Sequence, residues 1–521
     1  MAGGISYYVT TPIYYVNDQP HIGHAYTTLA CDVLARFKRL DAHDVLFLTG
    51  TDEHGQKVEK AAAEAGVDPQ SFTDKISGNF RNLAVTMNFS NDDFIRTTEA
   101  RHIKSSQAIW QAIATNKSPK GQDNIYLGKY AGWYAVRDEA FYAEGELEEG
   151  TDGRKLAPTG AEVEWVEEPS YFFRLSDWQD ALLEFYESNP DSVAPKSRHN
   201  EVTSFVKGGL KDLSISRTTF KWGIPVPGDE AHIMYVWLDA LTNYITAAGY
   251  PDTGSKRFEK YWPADLHMVG KDILRFHAVY WPAFLMAAGI APPKRVFAHG
   301  WWTNDGEKIS KSVGNVIDPF ELVQKYGLDP VRYFLLREVP FGNDGDFSDQ
   351  AMINRINSDL ANDLGNLCQR VLSMTNKNCD GRVPEPGALA PEDDALLGQA
   401  AGLLEKCRAA FDVQQFHTAL IAIWEVISAA NRYVDAQAPW ELRKSDPPRM
   451  ATVLYVLAET IRRLGILVQP FMPQSAARIL DQIAVPEGAR SFDALDTALV
   501  PRTALPKPSP VFPRFVDDED G

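Results

Sequence analysis

Apolar positions along the chain follow two periods. Ile5 to Thr11 (Ile-Ser-Tyr-Tyr-Val-Thr-Thr) and Val45 to Thr49 (Val-Leu-Phe-Leu-Thr) are short runs suited to buried strands. Tyr26, Leu29, Ala30, Val33, Leu34, Phe37 and Leu40 recur at the spacing of one helix face. An alanine-rich helix around Val58 to Ala65 follows Gly50-Thr-Asp-Glu-His-Gly55. Strand and helix alternate in this way from residue 1 to about 115, which predicts an α/β fold with a Rossmann-like parallel sheet and a site at the carboxyl ends of its strands.

The texture changes at about residue 116. Tyr126 to Val136 reads as hairpin material and Glu144 to Gly153 as an acidic turn region, so 116–225 is expected to be a connective insertion. The second half of the sheet domain (226–298) returns with Met234 to Asp239 and with Leu266 to Gly270, before a helix beginning near Lys271. A linking fold (299–350) contains a helical stretch from Phe320 to Phe334, with breaks expected at Gly327 and Pro330. Helical patterns then run over Ile353–Thr375, Asp394–Phe411, Thr418–Ala436 and Met450–Val468, predicting an all-α bundle across 351–504. Prolines 384, 386 and 391 mark its first long connection, and 505–521 reads as an extended C-terminal strap.

Composition narrows the class. With 521 residues, 44% hydrophobic and 23% charged, the chain is a multidomain globular protein. No apolar run reaches the ~18 residues that would cross a bilayer, and the first residues lack a secretory pattern, so no membrane partner and a cytoplasmic location are expected. Cys31, Cys368, Cys379 and Cys407 form no C-x-x-C pair, which argues against a disulfide framework or a thiolate metal site. A net charge of −18 argues against general affinity for nucleic acid, so no DNA partner is expected; any RNA contact needs a local basic face.

Two short stretches carry candidate chemistry. Pro20-His21-Ile22-Gly23-His24 places two imidazoles and a glycine where a strand gives way to a helix, and helix N-termini attract phosphate. Lys308-Ile309-Ser310-Lys311-Ser312 lies among Gly306 and Gly314, so two ammonium groups sit on a loop able to close over a polyphosphate. Each alone has a plainer reading, as a core histidine pair and as a solvated basic turn. Together they resemble the two signature motifs of the class I aminoacyl-tRNA synthetases.

Within that class, Thr11 to Asp18, Trp237-Leu-Asp-Ala-Leu-Thr-Asn-Tyr244 and Val269-Gly-Lys-Asp-Ile273 are similar to the methionyl-tRNA synthetase family, over nearly the whole chain. The resemblance implies ATP-dependent formation of methionyl-adenylate from L-methionine, then transfer to the 3′ end of tRNA(Met). It assigns catalysis to His21, His24, Lys308 and Lys311, and ATP binding to these with Gly23, Ser310 and Asp272. It places Ile13, Tyr15, Trp237, Ala240, Leu241, Tyr244, Phe276, His277 and Trp281 around the methionine side chain, with Asp52 on the substrate ammonium and Arg217 as its partner in the empty site. Aromatic edges suit a polarizable thioether, and the Tyr244 hydroxyl is placed to bond its sulfur. Asp272 reads equally well as an N-cap. Asn366, Arg370 and Trp440 match the family's anticodon readers.

Many relatives hold zinc knuckles in the insertion, but the matching places here are Ala135, Asp138, Ala157 and Gly160, with no thiolate. A zinc-free form is therefore expected, with Mg²⁺ on the phosphates as the only metal and with Tyr126 to Tyr142 held by aromatic packing. The interval between His24 and Lys308 leaves no room for the editing domain of the Leu, Ile and Val enzymes, and the cysteines a cysteinyl enzyme needs are absent. A nucleotidylyltransferase has no use for so large a bundle, and a non-catalytic paralogue has no reason to keep both motifs. No dimerising domain is recognised after the bundle, so a monomer is expected.

Overall fold

The computed structural model describes residues 5–16, 19–138, 140–142, 144–150, 153–304, 306–309 and 315–516, with the backbone alone at 130, 140, 141, 307 and 308. A parallel sheet is built from β1 (Ser6–Thr10), β2 (Tyr14–Tyr15), β3 (Asp44–Asp52), β4 (Asp93–Arg96), β5 (Val193–Ala194), β6 (Leu266–Gly270) and β7 (Val296–His299). Its order is β5-β7-β6-β1-β3, with β2 and β4 both paired to β3. The order reverses between β1 and β6, where Val9 lies opposite Leu266 and Thr10 opposite His267. The crevice at the carboxyl ends of these two strands is the favoured ligand position in such a sheet.

Helix α1 (Ile22–Leu40) leaves β1 across this crevice and buries an unbroken run from Ala25 to Ala35. Helices α2 (Ala100–Thr115) and α3 (Val236–Ala248) pack together beside the sheet. The insertion forms a four-stranded antiparallel sheet in which Ile125–Ala135 pairs with Glu164–Phe173 along its length. One strand departs from the sequence-derived boundary: Val193–Ala194, inside 116–225, is an edge strand of the parallel sheet, paired with Val296 and Phe297. Two residues carry too little periodicity to reveal this.

The linking region contains Trp302–Asn304, paired antiparallel with Glu307–Lys308 and parallel with Gly345–Phe347. It continues through Pro319–Tyr326 and α4 (Leu328–Arg337). Gly327 separates these helices at φ 86°, as expected, but Pro330 breaks nothing. It lies in the first turn of α4, where a missing N–H has no intrahelical partner to lose. The bundle follows, with α5 (Phe416–Gln437) and α6 (Pro447–Val468) as its longest members. The expected helix Asp394–Phe411 is two, Pro391–Ala401 and Leu403–Asp412, joined at Gly402. The strap returns onto the linking fold and the start of the bundle: Asn357 exchanges hydrogen bonds with the backbone of Phe515 at 2.8 and 3.0 Å, and Phe515 meets the Tyr326 ring at 5.1 Å.

One continuous core joins α1, the linking helices and the bundle. Phe37 of α1 stacks on Phe411 at 3.9 Å, and Lys38 and Asp41 pair with Asp412 and Arg408. At its centre Arg332 of α4, fully buried, donates to Asp32 at 2.7 Å and to the carbonyls of Met87, Pro470 and Phe471. Burial alone would raise the Asp32 carboxyl, but the Arg332 and Arg36 guanidinium groups outweigh it and hold the pKa below the usual range. Removing either partner strands a charge where water cannot reach it. We expect Arg332→Leu and Asp32→Ala each to lower unfolding free energy by about 3–5 kcal/mol, and the double variant to cost much less than their sum. Urea denaturation of the three variants checks this.

Candidate active site

A cavity of about 530 Å³ opens at the reversal point of the sheet. Its walls come from the loop after β1, the first turn of α1, the end of β3, α3, the turn after β6 and the segment after β7.

His21 is the N-cap of α1. Its Nδ1 accepts from the Gly23 N–H at 3.1 Å, and His24 Nδ1 accepts from the His21 N–H at 3.1 Å. A backbone N–H only donates, so both rings carry their proton on Nε2. The two imidazoles therefore consume backbone donors of the helix start and offer Nε2–H in their place. Gly23 serves this arrangement as well as phosphate approach: a Cβ there would lie 2.9 Å from His21 Cε1. His24 packs among His21, Tyr14 and Phe80, at ring separations of 3.9, 4.8 and 5.2 Å. Burial depresses both pKa values, that of His24 strongly, with His21 adding to the effect; at His21 the Asp272 carboxylate partly opposes it. Both rings are neutral donors near pH 7.

The opposite wall is aromatic. Tyr15, Trp237, Ala240, Leu241, Tyr244, Ile13 and His277 all line the cavity, as expected. Phe276 and Trp281 do not. Phe276 stacks behind Trp237 at 3.7 Å, while Trp281 is fully buried and donates to His267 Nε2 at 3.3 Å. The helix expected to begin near Lys271 is irregular: Lys271–Ile273 is a 3₁₀ turn, Phe276–Tyr280 a π turn and only Trp281–Ala287 regular α. The π turn sets His277 against Tyr244. His277 Nδ1 bonds the Ile273 carbonyl at 2.9 Å and so carries the proton, which leaves Nε2 to accept the Tyr244 hydroxyl at 2.7 Å. That hydroxyl proton is committed to His277, so in this structure Tyr244 presents lone pairs to the slot rather than a donor for sulfur.

Asp52 lines the cavity and is 7% exposed. Arg217 is buried outside the lining, donating to Ser214 and the Ser216 carbonyl, 3.8 Å from Glu168 and over the Tyr235 ring. Asp272 is at the mouth and accepts from Trp301 Nε1 at 3.2 Å; Gly270 is the cap of its turn, so the N-cap alternative does not apply. Lys271 pairs with Asp344 and lies over Trp301. Ile309 reaches the cavity, whereas Ser310 and Lys311 and the Lys308 side chain lie outside the described residues. Sequence reasoning missed Lys57, Asn243, His299, Trp301, Arg137 and Asp138 as lining. Asn243 stands inside the quoted Trp237–Tyr244 motif and His299 and Trp301 lie just before the Lys308 motif, whereas Arg137 comes from the insertion and carried no signal.

Around the knuckle positions that lack thiolates, Ala135, Ala157 and Ala161 are almost fully buried against one another, with Tyr142 and Val163 alongside. Two tight turns (Asp138 N–H to the Ala135 carbonyl, Gly160 N–H to the Ala157 carbonyl) face each other, joined by hydrogen bonds of Thr159 and Tyr142 to Asp138. Small apolar packing therefore adds to the expected aromatic support, which comes from Trp133 against Trp165. Among the described residues no cluster of three His, Cys, Asp or Glu is able to hold a metal, and no helix is long and apolar enough to cross a membrane. In the bundle, Asn366 is exposed one turn before Arg370, whose guanidinium lies 5.7 Å from the Trp440 ring and pairs with Asp435.

The family model for class I tRNA synthetases (M) matches residues 7–372, and that for the anticodon binding domain of methionyl tRNA ligase matches 383–520. A methionine–tRNA ligase from Brucella suis is 61% identical over 515 residues, 99% of each chain. The chain belongs to the methionyl-tRNA synthetase family. Among solved structures, the Mycobacterium tuberculosis synthetase in complex with methionyl-adenylate superposes on this synthetase with a TM-score of 0.95 at 56% identity, covering 98% of this chain and 100% of that one. The free form of the same enzyme gives 0.89 at 51% identity and 99% coverage of both chains.

The depressed histidines of this synthetase have a measurable cost. In the folded state His277 titrates at about 4, and His24 and His267 well below 6.5, because burial disfavours their cations. The unfolded chain binds protons first, so stability is full above pH 6.5 and falls as pH drops toward 4, by about 1.4 kcal/mol per pH unit for each such ring. Urea midpoints at pH 7.5, 6.5 and 5.5 are expected to fall in that order, with a shallower decline in His277→Gln.

Proposed function

We propose that this chain performs the two-step reaction of its family and that the cavity described above is where it does so. In the first step the methionine carboxylate oxygen attacks the α-phosphorus of ATP, and the bond to the bridging oxygen breaks, releasing pyrophosphate. In the second, the terminal ribose hydroxyl of tRNA(Met) attacks the acyl carbon of methionyl-adenylate and AMP leaves. Chemistry of this type is driven by positioning and by charge stabilisation, and no protein nucleophile is needed.

The observation that carries the reading is the paired capping of His21 and His24, which aims two neutral N–H donors from one wall of a cavity whose other wall is the aromatic slot. Neutral donors bond phosphate oxygens without neutralising them, so the cationic part of the work falls to Lys308 and Lys311 and to Mg²⁺ arriving with ATP. Gly23, Ser310 and Asp272 complete the nucleotide site. Methionine lies with its side chain against Ile13, Tyr15, Trp237, Ala240, Leu241, Tyr244 and His277, and its ammonium on Asp52. Phe276 and Trp281 support that slot from behind. Asn366, Arg370 and Trp440 read the anticodon, Arg370 and Trp440 as a stacking pair. The insertion works without zinc, supported by the alanine-filled knuckle. The reading is of a cytoplasmic monomer.

Methionine-dependent exchange of labelled pyrophosphate into ATP tests the site directly. Exchange with methionine but not with leucine, isoleucine or cysteine is expected, at an unchanged rate in the presence of a zinc chelator. Loss of exchange on chelation would overturn the zinc-free reading and leave the reaction standing. Lys311→Ala is expected to slow adenylate formation more than tenfold, that is by over ~1.4 kcal/mol of barrier, with little change in methionine affinity. A single-turnover rate within twofold of wild type would remove Lys311 from the mechanism.

A further inference from the structure

The end of β3 carries a buried polar device that no reaction step uses. Asp52 lines the cavity, pairs in register with Tyr15 and accepts the Val16 N–H on its carbonyl at 3.2 Å. The next residue, Glu53, is fully buried and anchors this strand end to its neighbours through Arg96, Thr98 and Thr51, at 2.6–2.8 Å. His54 reaches in another direction: its Nδ1 bonds Asp239 Oδ2 at 2.6 Å. The second oxygen of Asp239 bonds His102 Nε2 at 2.7 Å. A carboxylate only accepts, so both rings donate. His54, Asp239 and His102 are 5%, 1% and 0% exposed, and none of them lines the cavity.

The place of Asp239 in the chain gives this device its meaning. It lies on α3 between Trp237 and the pair Ala240 and Leu241, which form the floor of the side-chain slot. The Asp239–His54 bond therefore ties the slot to the strand end bearing Asp52. The Asp239–His102 bond ties the same carboxylate to α2, from which no described residue lines the cavity. An apolar contact would pack α3 against β3 at lower desolvation cost, whereas a buried, hydrogen-bonded carboxylate fixes distance and register.

We propose that His54 and Asp239 are positioning residues that set the separation between the ammonium-binding carboxylate and the thioether slot. The pair acts as a strut between two subsites, so that an amino acid is held by both ends at once. This rests on the reading of Asp52 as the ammonium contact.

Two analogues separate the ends. Methioninol keeps the ammonium and lacks the carboxylate; 4-(methylthio)butanoic acid keeps the carboxylate and lacks the ammonium. Their inhibition constants are measured in methionine-dependent pyrophosphate exchange. His54→Leu is expected to weaken methioninol about tenfold, the order of one hydrogen-bonded charge contact, and to leave the butanoate within about twofold. His54→Asn, whose amide N–H occupies the place of Nδ1–H, is expected to restore the wild-type ratio. His102→Leu removes an equally buried partner of the same carboxylate and is expected to leave the ratio unchanged. Should His54→Leu not fold, His54→Gln, whose amide reaches past the Nδ1 position, is read the same way.

Equal weakening of both analogues, or a His102 variant that shifts the ratio as His54 variants do, would reduce the device to ordinary core support and overturn the proposal. Asp52→Asn is measured alongside. If it leaves the ratio unchanged, the ammonium reading fails and the strut with it; if it collapses the ratio while His54→Leu does not, only the strut fails.

Discussion

The buried contact between Asp32 and Arg332 is the constraint on which the rest of the molecule depends. Helix α1 begins in the catalytic crevice, passes this ion pair at its middle and ends against the bundle at Phe37 and Phe411. Arg332 spends its donors on four acceptors from three parts of the chain: Asp32 of α1, the carbonyl that ends the helix before Phe89, and the turn that closes α6. A guanidinium does this where an ammonium would not, because its donors are fixed in one plane and point in several directions. Catalytic sheet, linking fold and bundle are thus parts of one packed body rather than domains on tethers.

Electrostatics divides the labour within the site. The imidazoles of the first turn are depressed in pKa and neutral, and their Nδ1 atoms are held by the helix they cap. That is the reverse of a general base waiting for a proton. Fixed dipoles on a packed wall need no reorganisation as charge moves.

Most of the architecture was legible in the sequence because long elements carry long periodic signals. The face of α1, the longest helices of the bundle and the break at Gly327 are where that signal places them. What failed was short or irregular. The two-residue edge strand Val193–Ala194 and the first-turn position of Pro330 fall below what periodicity resolves. Phe276 and Trp281 are assigned to the pocket by resemblance alone, and sequence does not show that this stretch winds as 3₁₀, then π, then α and sets both rings behind the lining. Tyr244 was given a free hydroxyl because nothing in sequence shows that His277 takes its proton. The Asp239 device was invisible for a related reason: His54, His102 and Asp239 are far apart in the chain, and each alone looks like an ordinary polar residue near an element end.

The nineteen residues of α1 make a rod about 28 Å long. Gripped at Asp32, near its midpoint, it has the proportions of a balance beam, with imidazoles on one arm and the Phe37 stack on the other. A tilt of about 4° around that fulcrum carries each tip roughly 1 Å, and an ångström at reacting atoms is worth about a hundredfold in rate. Holding Asp32 and the Phe37 stack in place therefore also holds the imidazole tip.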